Sequence, residues 1–254
     1  MSSAGLRACF PDDHCSMTIA ENVAAIQQRI VTAARRVQRS PEKIILMGVT
    51  KTVAPGRIRD AYAAGVRIFG ENRVQEFAGK YEVLRHLPGT EWHMIGHLQT
   101  NKAAKAAELF VAIDSVDSIR LAEKLNSAAA AVGKALRILI EINIGDEQAK
   151  SGLAPDSAEL EDLLQRAAEF ASLRFCGLMT VPPYGDDPEG SRPYFRRMRE
   201  LFEALAASKI PAIEMDILSM GMSHDFEVAI EEGANCIRLG TAVFGERPAA
   251  RSTD

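Results

Sequence analysis

The sequence predicts an α/β protein built as a single closed (β/α)8 barrel of the TIM type, with an extra helix ahead of the first strand. Three observations carry that prediction. Eight short, mostly apolar runs recur, at 44–50, 66–70, 91–96, 110–114, 136–143, 173–180, 213–219 and 235–240. Helical stretches separate them, at 56–64, 72–86, 100–108, 117–131, 156–170, 190–207 and 223–232, long enough for the crossovers that parallel strands need. Eight such steps in about 200 residues favour closure over an open doubly wound sheet.

Residues 1–16 show no clear period and read as a loose, disordered tail, with Met17 a candidate start. They lack a basic stretch followed by an apolar one, so no secretory signal is expected. From Thr18 to Val37, Ile19, Val23, Ile26, Ile30, Val31 and Ala34 recur at helical spacing. Thr18 with Glu21 three residues on has the pattern of a capping box. The first strand is Ile44–Val49, set between Ser40-Pro41 and Pro55-Gly56. The second and fourth strands are the shortest. No linker or composition break divides the chain, so one domain over 17–247 is expected, with 248–254 frayed.

The composition excludes several function classes. The chain has 254 residues, of which 47% are hydrophobic and 25% charged, ordinary values for a soluble protein with a sizeable core. A net charge of -4 without a basic stripe argues against nucleic acid. No apolar stretch approaches the roughly 20 residues of a membrane span. Cys9, Cys15, Cys176 and Cys236 form no CxxC pair. That suits a reducing cytoplasm rather than a disulfide framework. His14 and Cys15 are too few ligands for a metal centre, and none is expected.

Polar residues close nearly every apolar run. In a barrel those ends share one rim, the face that carries active sites. Lys51 comes just after the first strand, where its ammonium must find water, a partner or a ligand. Desolvated lysines shift their pKa readily, which suits Schiff-base chemistry. At the seventh strand's end, Gly221 allows close backbone approach, and Ser223 can cap the next helix. Gly240-Thr241, after the eighth strand, adds backbone N–H groups and a hydroxyl. Barrel phosphate sites often form from these two loops. A phosphorylated aldehyde could thus be held at both ends. Pyridoxal 5′-phosphate and a sugar-phosphate aldolase substrate both meet that description, and the residues alone leave both open.

Longer motifs narrow the choice. Val49-Thr50-Lys51-Thr52, Phe69 to Glu76, Trp92 to Lys102, Lys150-Ser151-Gly152-Leu153, Gly177-Leu178-Met179, Leu218 to Asp225 and Arg238 to Gly245 occur in order. With them the chain resembles the pyridoxal phosphate homeostasis proteins, the YggS/PROSC family, over about residues 18–246. The resemblance implies a barrel like the N-terminal domain of alanine racemase, with pyridoxal 5′-phosphate held by Lys51 as an internal aldimine. It implies that Ser219, Gly240 and Thr241 lie near the phosphate, beside the Gly221-Met222-Ser223 turn. It implies Arg238 near the pyridine nitrogen and Asn72 near the cofactor. Met94 and Arg73 depart from the family's frequent Phe and Tyr.

Two functions are expected from this. The first is a non-catalytic carrier that buffers the cofactor and supplies it to pyridoxal-phosphate-dependent apo-enzymes, acting as a monomer. The alternative is a racemase-like enzyme. A permanently charged Arg238 facing the ring nitrogen makes the ring a weaker electron sink, which suits holding over turnover. The chain also ends soon after the eighth strand, leaving no room for the second domain of barrel racemases. Of its four tyrosines only Tyr184 lies on a rim loop. The carrier is therefore the expected function, with no catalytic residues.

Overall fold

Eight parallel strands close into a barrel in sequence order, and their carboxyl ends share one rim. The computed structural model describes residues 17–147 and 151–246. The expectations for residues 1–16 and 248–254, and the Lys150 motif position, lie outside the described residues. The strands are β1 (Ile45–Val49), β2 (Ile68–Glu71), β3 (Glu91–Met94), β4 (Ala112–Val116), β5 (Leu136–Glu141), β6 (Leu173–Met179), β7 (Ile213–Ser219) and β8 (Cys236–Leu239). All eight overlap the expected runs, although β2 and β4 each start two residues late and run past the expected end. Phe110 instead ends the preceding helix, its N–H bonded to the Ala106 carbonyl.

The helices are α1 (Ile19–Arg36), α2 (Pro55–Ala63), α3 (Val74–Leu84), α4 (Ala103–Leu109), α5 (Ile119–Ala131), α6 (Ala158–Gln165), α7 (Arg192–Ser208), α8 (Phe226–Glu231) and α9 (Thr241–Phe244). The Thr18–Glu21 capping box is present at the start of α1. The expected helices at 100–108, 156–170 and 190–207 each include a short 3-10 turn. The one-turn helix α9 has too few residues for a periodic signal.

Among the described residues only α9 follows β8, and α1 packs against α8, α9 and α2. The extra helix thus completes the outer ring between the last strand and the first. Its Asn22 amide donates to the Val243 carbonyl at 3.1 Å.

The main core lies between strands and helices, with Phe69, Phe77, Trp92 and Phe110 packed ring on ring. Inside the barrel the contents are mixed. Leu139, Cys176 and Met179 form a small apolar cluster with Ile217. Below them His93 sits 3.1 Å from both Asp114 oxygens, and Glu91 meets Arg137. Between these two groups lies a small cavity of about 50 Å³, bordered by Leu139, Cys176, His93 and Asp114.

Candidate functional site

Lys51 stands two residues past β1, in a turn at the carboxyl rim. It opens onto a cleft of about 220 Å³. Met222, Ser223, Arg238, Gly240 and Thr241 line the same cleft. Six of the eight residues expected at a site are therefore gathered at the carboxyl ends of three strands, β1, β7 and β8. Parallel β1 and β8 are neighbours, Gly48 facing Leu239, which brings the turns after the first and last strands together there.

The turn after β7 is built on backbone geometry. Gly221 has φ +94, and a Cβ there would lie 2.6 Å from the Ala229 Cβ. Asp225 then holds the rest of the turn. Its Oδ1 accepts from the Met222 N–H at 2.7 Å, and its Oδ2 accepts from the Ser191 hydroxyl at 3.0 Å. The expectation that Ser223 caps the next helix is corrected. That helix starts at Phe226, and the Ser223 hydroxyl accepts from the Ala242 N–H at 3.2 Å instead. The two glycine loops are thereby tied together. Gly240 and Thr241 give their own N–H groups to no protein acceptor among the described residues. A Cβ on Gly240 would meet only Val49, at 3.7 Å or more, so the missing side chain keeps the cleft open.

Arg238 is buried beneath this floor. Its guanidinium donates to the Ser219 hydroxyl and to the Thr180 carbonyl, each at 2.8 Å. Among the described residues it forms no salt bridge with Glu141 or Asp216. Burial pushes its pKa down, while Asp114, Glu141 and Asp225 oppose that. Arginine starts so far above neutrality that it stays cationic. Glu141 shares the rim. Burial, then Asp117, push its carboxyl up to about 7, with Arg238 and His97 opposing.

Ser219 is fully buried and reaches the cleft only through Arg238. Asn72 lines a neighbouring rim cleft with Arg73, Met94, His97, Gln99 and Lys102. Its Oδ1 is buried without a hydrogen-bond partner among the described residues. Sequence reasoning placed Tyr184 and His224 at the rim without assigning them to the site, and missed Pro182, Pro183, Gly185, Ser191 and Asp225, which line the far wall of the cleft with them. Tyr184 is 75% exposed, and its ring lies 5.8 Å from that of His224. The prolines and the tyrosine between two polar runs were the signal available for that wall.

An amine, a buried guanidinium, the Gly240 and Thr241 N–H groups and the hydroxyls of Ser223 and Thr241 meet at one cleft. Such a donor set suits a ligand with an electrophilic carbonyl and an anionic ester. The open cradle at Gly240 leaves space for the anion.

Fold and cleft define a barrel of the alanine racemase N-terminal-domain class, and the family model described as alanine racemase, N-terminal domain, matches residues 22–248. A pyridoxal phosphate homeostasis protein of Aquifex aeolicus (strain VF5) is 44% identical over 231 residues, covering 91% of this chain and 99% of its own. The one from Escherichia coli (strain K12) is 42% identical over 234 residues, covering 90% and 97%. The solved structure of PipY from Synechococcus elongatus PCC7942, with PLP bound, superposes with a TM-score of 0.76 at 37% identity, covering 89% of this chain and all of that one. This chain belongs to the pyridoxal phosphate homeostasis protein family.

Proposed function

We propose that this protein binds pyridoxal 5′-phosphate as an imine on Lys51, and that it buffers the cofactor and supplies it to apo-enzymes without turnover. The observation that carries the reading is the shared cleft, with Lys51 on one wall and the open Gly240-Thr241 turn on another. The relatives' name and the pyridoxal phosphate bound in PipY support the same ligand. The neutral Lys51 amine adds to the aldehyde carbon, a C–N bond forms, and the carbonyl oxygen leaves as water. The reverse hydrolysis releases the cargo.

Arg238 supports holding over turnover. A buried cation near the pyridine nitrogen would disfavour its protonation, and an unprotonated ring stabilises a carbanion poorly. The cleft is also open to water, which suits exchange. The buried free thiols Cys176 and Cys236 suit a reducing cytoplasm. The large exposed apolar side chains Met17, Val37, Val83, Val111, Val132 and Tyr184 lie on separate segments, as a monomer allows.

Absorbance spectroscopy tests the reading. Protein mixed with the cofactor gains a visible band that borohydride bleaches, fixing the added mass on Lys51. Lys51→Ala loses that band, and retention would overturn the imine assignment. Single-enantiomer amino acids incubated with the loaded protein keep their configuration. Steady racemisation would favour the racemase-like alternative.

A further inference from the structure

Both peptide bonds flanking Lys51 are gripped by one helix. Lys80 Nζ donates to the Thr50 carbonyl at 2.9 Å. Glu76 Oε1 accepts from the Thr52 N–H at 2.6 Å. Lys80 and Glu76 lie one turn apart on α3 and pair at 2.6 Å. Behind them stands Glu71, fully buried at the end of β2. Its Oε1 accepts from Lys80 at 3.1 Å and from the Thr50 hydroxyl at 2.8 Å. The carbonyl before Lys51 and the N–H after it are thus fixed by a cation and an anion that also hold each other.

Two features separate this cluster from an ordinary surface ion pair. The Lys80 side chain is only 12% exposed and that of Glu71 is not exposed at all. Burying such charges is unfavourable unless the geometry is good, and apolar packing would tie α3 to the barrel as well. Thr52 also adopts φ +63, an uncommon conformation for a β-branched residue that surrounding contacts must hold. The Glu76 carboxylate supplies one such contact, and the Thr52 hydroxyl closes the turn by donating to the Lys51 carbonyl at 2.6 Å.

We infer that the Lys80–Glu76 pair, backed by Glu71, is a positioning device that aims the Lys51 side chain into the cleft and thereby sets how tightly its amine retains an aldehyde. The inference rests on the reading of Lys51 as the imine-forming residue. A lysine side chain has four soft torsions, so the direction of its first bond decides where the amine spends its time. Small misplacements of a reacting group reduce effective concentration steeply. None of the three residues lines the cleft, so none is expected to touch the ligand.

The test compares two ligands. Pyridoxal 5′-phosphate forms the imine. Pyridoxine 5′-phosphate, an alcohol with the same ring and phosphate, does not. Lys80→Met and Glu76→Met are expected to weaken the aldehyde by roughly tenfold or more and to speed its release. The alcohol's affinity stays within about twofold of wild type. Glu76→Gln, which keeps an acceptor for the Thr52 N–H, lies closer to wild type than Glu76→Met. Equal weakening of both ligands, or no change in either, overturns the positioning role. Lys80→Met leaves a buried carboxylate unpaired. If it fails to fold, the half-buried Glu76 variants decide the matter alone. Lys51→Ala separates the two claims. If it binds the aldehyde like wild type, the imine reading fails. If it loses that preference while the α3 variants keep it, the positioning inference fails by itself.

Discussion

Gly221 and Gly240 occupy matching places in the last two rim loops, yet the backbone demands glycine at only one. Gly221 needs a positive φ and leaves no space for a Cβ beside Ala229. Gly240 has φ -102 and ordinary clearance. Gly221→Ala is expected to destabilise the fold by roughly 1–3 kcal/mol, through overpacking and backbone strain. Gly240→Val is expected to fold with little change in Tm and to lose most of its affinity for inorganic phosphate and for pyridoxal 5′-phosphate. Thermal melts and titrations separate the two effects. A Gly240→Val variant that binds phosphate like wild type would remove that turn from the anion site. Spacing could nominate both glycines, because each comes after an apolar run. It could not tell a glycine the chain requires from one the ligand requires, since that depends on Ala229 and Val49, which the fold brings alongside. The same limit applies to Ser219 and Asn72. Whether a residue at a strand end faces the cleft or props a neighbour is set by barrel register, which its own segment does not encode.

Elements were more legible than contacts. Each strand is a run of apolar residues between breakers, and α1 carries a helical period with a capping box, so local chemistry writes these into the sequence. The α3 grip on Lys51 left no such trace. Glu76 is 24 residues from Thr52, and Lys80 is 30 from Thr50, with no period linking them. The role of α1 was also hidden. It reads as an appendage, but by packing against α8, α9 and α2 it serves as a member of the helical ring. Its stability should therefore matter to the whole barrel. Thr18 accepts from the Glu21 N–H at 3.2 Å, and the Glu21 carboxylate accepts in return from the Thr18 N–H at 2.7 Å. Thr18→Ala is expected to lower global stability by about 1 kcal/mol in denaturant melts. A change confined to helix fraying, with the global midpoint unmoved, would show that α1 is not cooperative with the barrel.

At the scale of the molecule, the barrel interior couples its two mouths to pH. Near the upper rim, burial and Asp117 push the Glu141 carboxyl up to about 7. Near the lower end, burial opposes charge on His93, but Asp114 and Glu91 outweigh it and raise the imidazole to about 9. Both groups bind their proton more tightly folded than unfolded. The Glu141 contribution is present below its ordinary pKa of about 4.3 and is lost as pH rises through about 7. The His93 contribution is present below about 6.5 and is lost as pH rises through about 9. Glu91 acts on the acid side. Bonds from His93 and Arg137 lower its carboxyl to about 2, so its contribution is present above about 4.3 and lost as pH falls toward 2. Stability should therefore be greatest near pH 4.5 and decline toward pH 9. Glu141→Gln should flatten the decline between about pH 4.5 and 7, by about 3 kcal/mol at neutral pH. His93→Gln should flatten the segment between about 6.5 and 9 and leave the earlier one intact. Chemical denaturation of the three proteins at unit pH steps reads this directly. Variant curves that run parallel to wild type in those windows would show that these interior charges do not set the pH response.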